Sequence, residues 1–164
     1  MVEFEAVFDD LYRRAYGTAF RVLGDREEAQ DIAQEALARA GMRWSSLGRT
    51  SYYEGWIVRV AGNLVIDSGR RQLRWRRLSP NGSALPAEDT ATVERLHLRE
   101  ALRSLPKRQR EVVTLRYLAD LPEATVAEVL GCSVGTVKQH ASRGLAALRD
   151  TLGQSEEGNV RAPR

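Results

Sequence analysis

Leu121-Pro-Glu-Ala-Thr-Val-Ala-Glu-Val-Leu-Gly-Cys-Ser-Val-Gly-Thr-Val-Lys-Gln-His-Ala-Ser-Arg-Gly-Leu-Ala-Ala-Leu-Arg149 is the stretch around which the rest of the sequence is arranged. A short helix is expected after Pro122, because proline fits the first helical turn, where its missing N–H costs nothing. Val126, Ala127 and Leu130 then share one face at helical spacing. Gly131 supplies the backbone freedom that ends this helix, and Ser133 is placed to cap a second one. The second helix turns Val134, Val137, Ala141, Leu145 and Leu148 inward and leaves Thr136, Lys138, Gln139, Ser142 and Arg143 outward. Helix pairs with a glycine turn are common in small helical proteins. This one concentrates hydrogen-bond donors on one exposed face, beside a helix N-terminus that can itself approach a phosphate. It reads as a helix-turn-helix whose second helix suits phosphates and base edges.

A motif this short cannot bury a core alone, so the preceding residues must supply its scaffold. Lys107-Arg-Gln-Arg-Glu-Val-Val-Thr-Leu-Arg-Tyr-Leu118, started by Pro106, is expected to be a helix feeding Val112, Val113 and Tyr117 into a shared core. Before it, Val93, Leu96, Ala101, Leu102 and Leu105 mark another helix. Further upstream, Leu78 to Ala91 contains Ser79, Pro80, Asn81, Gly82, Ser83, Pro86, Glu88 and Asp89 without hydrophobic periodicity, and reads as a linker. Such a linker spans on the order of 50 Å fully extended and about 20 Å as a relaxed coil.

The N-terminal part reads as three helices. The first, from Phe4 to Leu23, sets Phe4, Val7, Phe8, Leu11, Tyr12, Ala15, Ala19 and Leu23 on or near one side, and Gly24 ends it. Asp25 caps the second, and Glu28 is expected to complete a capping box. That helix places Ala29, Ile32, Ala33, Ala36, Leu37 and Ala40 inward and Gln30, Asp31, Gln34, Glu35 and Arg39 outward. A loop follows with Trp44, Tyr52 and Tyr53, which either cover the edge of the core or offer a stacking surface for unpaired bases. The third helix, from Tyr53 to Arg77, gives Ile57, Val60, Ala61, Leu64 and Val65 to the core. It ends in five arginines between Arg70 and Arg77, more than capping of the macrodipole needs, which fits a phosphate-tracking surface.

The composition, 43% hydrophobic and 29% charged, is that of an ordinary folded protein. The net charge of +3 says less than the uneven placement of its basic residues. Cys132 is the only cysteine, which excludes an internal disulfide or a cysteine metal cluster and suits a reducing, cytoplasmic setting. No apolar run approaches a membrane span, and the acidic N-terminus does not read as a signal peptide. There is no nucleophile–base pairing, metal cluster or phosphate-cradling glycine loop, so neither an enzyme nor a cofactor is expected. The expected fold is all-α: two small helical domains on a flexible linker, the second containing the helix-turn-helix. The expected boundaries are 1–77, linker 78–91, 92–152 and a frayed tail over 153–164.

In this order and spacing the motifs resemble the sigma factors of bacterial RNA polymerase, in particular the small extracytoplasmic-function group (group 4) of the sigma-70 family. Gly24-Asp25 with Ala29-Gln-Asp-Ile-Ala-Gln-Glu35 is similar to the family's region 2 helix that docks on the polymerase clamp. Trp56-Ile-Val-Arg-Val-Ala-Gly-Asn-Leu-Val-Ile-Asp-Ser-Gly-Arg-Arg71 resembles the helix that recognises and melts the minus-10 element. Leu105-Pro-Lys-Arg-Gln-Arg-Glu-Val-Val-Thr-Leu-Arg-Tyr117 followed by Leu130-Gly-Cys-Ser-Val-Gly-Thr-Val-Lys138 looks like region 4, which reads the minus-35 element. The resemblance implies core-polymerase contacts at Asp31, Gln34 and Glu35. It implies minus-10 contacts at Trp56, Arg59, Asn63, Arg70, Arg71 and Arg74, and minus-35 contacts at Ser133, Thr136, Lys138, Gln139, Ser142 and Arg143. Its partners would be core RNA polymerase and promoter DNA, not a membrane, and it leaves an anti-sigma factor open as a third. Gly62 and Gly69 depart from the pattern, standing where better helix formers are usual, which suggests a more deformable minus-10 helix. The rival readings are a stand-alone helix-turn-helix transcriptional regulator, which would carry a ligand or receiver domain or dimerise through its N-terminal half, and a helical adaptor without DNA affinity.

Overall fold

The computed structural model describes the backbone of residues 1–78 and 90–160 and the side chains of residues 1–68 and 93–153. All described elements are helical: α1 (Phe4–Leu23), α2 (Arg26–Met42), the short α3 (Trp44–Leu47), α4 (Tyr53–Leu78), α5 (Thr90–Ser104), α6 (Lys107–Val113), α7 (Glu123–Leu130) and α8 (Val134–Val160). A π-helical turn, Thr114–Leu118, follows α6 directly.

In the N-terminal half, α1 packs on α2 and α4 through Leu11, Ala15, Ala19 and Val22, against Ile32, Ala36, Leu37, Ile57, Ala61 and Val65. Phe8 does not join this core; it is 43% exposed, its ring edge-on to Phe4 at 5.6 Å. Gly24 takes a left-handed conformation, φ 67°, that closes α1. Asp25 accepts from the Glu28 N–H at 2.9 Å, but the reciprocal half of the capping box does not form. The Glu28 carboxylate instead accepts from Ser68 at 2.7 Å and from Arg99 at 3.4 Å, reaching α4 and α5.

The expected aromatic loop contains α3, and Trp44 is buried there. Its indole N–H donates to the Val2 carbonyl at 2.7 Å while its ring meets Phe4 and Tyr53. Trp44 therefore belongs to the core edge, not to a surface for bases.

In the C-terminal half, Ala101, Leu102, Leu105, Val112, Val113, Leu115, Val126, Leu130, Val137 and Leu148 form the core. Leu96, expected inside, is 37% exposed, and Val93 is half-buried. Tyr117, also expected inside, is 49% exposed while Leu115 is fully buried. The π-helical turn explains the exchange: one extra residue per turn, closed by the Ala119 N–H on the Thr114 carbonyl at 3.1 Å, shifts the helical phase and rotates the aromatic outward.

The linker expected over 78–91 is helical at its described ends, since α4 runs through Leu78 and α5 starts at Thr90; the remainder lies outside the described residues. At the C-terminus, α8 continues to Val160 where fraying from Gly153 was expected. No proline interrupts it before Pro163, and Gly153 has open space around it.

Candidate nucleic-acid interface

The helix-turn-helix forms as its sequence dictates. Pro122 stands at the N-cap of α7, and Gly131 at its C-terminus has φ 62°, a region that glycine enters without steric cost. The Ser133 hydroxyl accepts from the Thr136 N–H at 3.1 Å and so caps α8. Val137, Ala141 and Leu148 are buried against α6 and α7, and Leu145 is half-buried. Val134 is a correction: expected inward, it is 38% exposed because it opens α8 beyond the cover of its neighbours. Gly144 is buried where α8 packs on Gln109 and Val113 of α6.

This seating leaves Lys138, Gln139, Ser142 and Arg143 exposed together with Ser133. Thr136 is half-buried, its hydroxyl 2.9 Å from that of Ser133. Lys138 reaches only a distant carboxylate, Glu123, at 3.8 Å. The outward face is therefore a row of long donors at the N-terminal end of a capped helix, the geometry that enters a major groove.

On α2, Asp31, Gln34 and Glu35 are all exposed on one side. Asp31 and Glu35 line a groove of about 570 Å³ between α2 and α4, together with Glu28, Ile32, Arg39, Leu64, Asp67 and Ser68. Glu35 holds Arg39 at 2.8 Å on the surface. The groove thus has an apolar floor and an acidic rim, to which Asp67 contributes. Asp67 was not anticipated, although its place on the polar side of α4 was readable.

The residues expected at the minus-10 element are divided. Trp56 and Asn63 are half-buried on α4. Arg59 is engaged: its Nε donates to Glu111 at 2.9 Å, and the Glu111 side chain is only 1% exposed. The side chains of Arg70, Arg71 and Arg74, and the surroundings of Gly69 within α4, lie outside the described residues. Gly62 has a reason other than deformability, because a Cβ on it would stand 2.7 Å from Thr114 Cγ2. Glu111 was missed in the sequence. The available signal was a carboxylate three and four residues before Thr114 and Leu115, on the core side of its helix.

Two family profiles match this arrangement: Sigma-70 region 2 over residues 7–77 and Sigma-70, region 4 over residues 95–148. The chain is 30% identical over 161 residues to the ECF RNA polymerase sigma factor SigW of Bacillus subtilis, covering 87% of this chain and 86% of that protein. The chain belongs to the extracytoplasmic-function group of the sigma-70 family. It is also 33% identical over 155 residues to the ECF RNA polymerase sigma factor SigL of Mycobacterium tuberculosis, covering 90% of this chain and 87% of that one. Its fold is similar to that of the sigma factor RpoE solved in complex with the anti-sigma factor NepR from Bartonella quintana (TM-score 0.58, 21% identity, 92% of this chain and 96% of that chain covered). As a sigma factor it works with core RNA polymerase on promoter DNA, and the stand-alone regulator is not favoured. Among the described residues no helix is long and apolar enough to cross a membrane.

Proposed function

We propose that this sigma factor divides its work among three surfaces. The acidic rim of α2, with Asp31, Gln34 and Glu35, docks on a basic surface of core polymerase, where complementary charge guides encounter and register. The α4 side chains Trp56, Arg59, Asn63, Arg70, Arg71 and Arg74 hold and help open the minus-10 element, the positive charge of the arginines favouring the separated strands. On α8, Lys138, Gln139 and Arg143 read minus-35 base edges, while Ser133, Thr136 and Ser142 fix phosphates.

The observation that carries this reading is the recognition helix. It is capped by Ser133, seated by Val137, Ala141 and Leu148, and left with an outward row of donors that bind nothing stronger than a distant carboxylate. The protein directs initiation in the cytoplasm and catalyses no covalent step itself. An anti-sigma factor is an expected third partner. Run-off transcription with purified core polymerase over a promoter library tests the reading. Promoter-specific transcripts that depend on this chain are expected, and their absence, with polymerase active beside a second sigma factor, would refute it.

A further inference from the structure

The turn around α3 is bonded mostly to itself. Leu47 N–H donates to the Arg43 carbonyl at 2.9 Å, Gly48 N–H to that of Trp44 at 2.9 Å and Thr50 N–H to that of Leu47 at 3.0 Å. The Ser46 and Thr50 hydroxyls likewise donate to Arg43 and Leu47. Among the described residues, two hydrogen bonds tie Trp44–Thr50 to a distant part of the chain, and both end on Val2. The Val2 N–H donates to the Gly48 carbonyl at 3.1 Å, and the Val2 carbonyl accepts from the Trp44 indole at 2.7 Å. Val2 is 37% exposed and its side chain lies outside the core cluster, so this strap is made of backbone. Gly48 is buried beneath the indole: a Cβ on it would stand 2.7 Å from Nε1, the atom that donates to Val2. Phe4, two residues beyond Val2, adds a tilted ring contact to Trp44 at 4.9 Å.

What the strap holds is the head of α4. The Trp44 ring, 8% exposed, meets Tyr53 edge-on at 5.6 Å, and Tyr53 is the first residue of that helix. One turn on, the Trp56 N–H donates to the Tyr52 carbonyl at 2.9 Å. Trp56 belongs to the set assigned above to the minus-10 element. A short segment with so few outside bonds sits at the low end of local stability unless something fixes it. A loose turn would have to be ordered while the strands part, and that lost entropy would oppose opening but not the first contact with the duplex.

We propose that Val2 is a positioning residue for promoter opening: its two backbone bonds strap the α3 turn, and Trp44 passes the constraint to Tyr53. The head of α4 then meets the separating strands already ordered. This inference rests on the assignment of α4 to the minus-10 element.

The test uses holoenzyme assembled from core polymerase and the full chain, on a promoter that the parent opens. Val2→Pro deletes the N–H and keeps the carbonyl. Trp44→Phe deletes the indole donor and keeps an aromatic ring. Val2→Ala keeps both backbone groups. Val2→Pro and Trp44→Phe should each lower the ratio of open to closed complexes about fivefold, the equilibrium weight of one net hydrogen bond, read as permanganate reactivity of unpaired thymines. Initial binding of the duplex, co-elution with polymerase and helix content by circular dichroism should stay at the parent's level. Val2→Ala should open like the parent. The double variant Val2→Pro with Trp44→Phe should lose less than the product of the single losses, because either break frees the same residue. Arg70→Ala with Arg71→Ala, run in parallel, reads the α4 assignment by itself. If that pair loses opening while Val2→Pro and Trp44→Phe do not, the strap is overturned and the assignment stands. If none of them loses opening, both fall. Equal losses in duplex binding, or a Val2→Ala loss matching that of Val2→Pro, would also overturn the strap.

Discussion

Gly144 of α8 and Val113 of α6 touch where no larger residue fits at position 144: a Cβ there would stand 2.7 Å from Val113 Cγ2. Val113 is 3% exposed and β-branched, so it has little freedom to swing aside. Overpacking of this kind costs about 1–3 kcal/mol, against up to about 1 kcal/mol that alanine gains over glycine inside a helix. Gly144→Ala is therefore expected to destabilise the fold by on the order of 1 kcal/mol net, seen as a lower urea midpoint at an unchanged m value. A midpoint at or above the parent's would show slack between α6 and α8.

Charge reversal at the docking face is expected to separate binding from folding. Asp31 and Glu35 are exposed, and surface ion pairs such as Glu35–Arg39 contribute little to stability. Asp31→Lys with Glu35→Lys should abolish co-purification with core polymerase and leave the circular dichroism spectrum and melting temperature unchanged. Undiminished co-purification would remove α2 from the interface.

The recognition helix makes two kinds of contact that promoter libraries can tell apart. Gln139→Ala and Arg143→Ala should each cost about 1–3 kcal/mol and relax preference at particular minus-35 positions. Ser142→Ala should weaken all sequences alike, because phosphate contacts carry no sequence information. If the Gln139 and Arg143 variants retain the parental preference across a randomised minus-35 element, this face does not read bases.

At the minus-10 element, Arg70 and Arg71 are expected to act after binding. Unstacking a base costs a few kcal/mol, which nearby positive charge helps to offset. Replacing both by alanine should leave initial promoter binding nearly intact and reduce open complexes, measured as permanganate reactivity of unpaired thymines. Equal reactivity in variant and parent would assign these arginines another role.

The ends of α1, the Asp25 and Ser133 caps, and the Gly131 turn were legible in the sequence because each is set by residues within a turn or two of itself. So were the outward faces of α2 and α8, which helical period alone assigns. Tyr117 and Leu115 were exchanged because hydrophobic period assumes a constant helical phase, which the π-helical turn breaks. Phe8, Leu96 and Val134 were misplaced because an apolar residue at the margin of a stripe is buried only if a neighbouring element reaches it. Glu28, Arg59, Glu111 and the purpose of Gly62 depend on residues 40 to 71 positions away. No local pattern announces such pairs.

The buried side chains of both halves, from Leu11 in α1 to Leu148 in α8, belong to one continuous hydrophobic cluster. Heating the free chain should therefore produce a single cooperative endotherm, its calorimetric and van 't Hoff enthalpies in agreement. A destabilising replacement deep in α1 would then lower the melting of the recognition helix as well. Damage to the buried core of either half becomes damage to the reading of promoters, even where no altered residue comes near DNA.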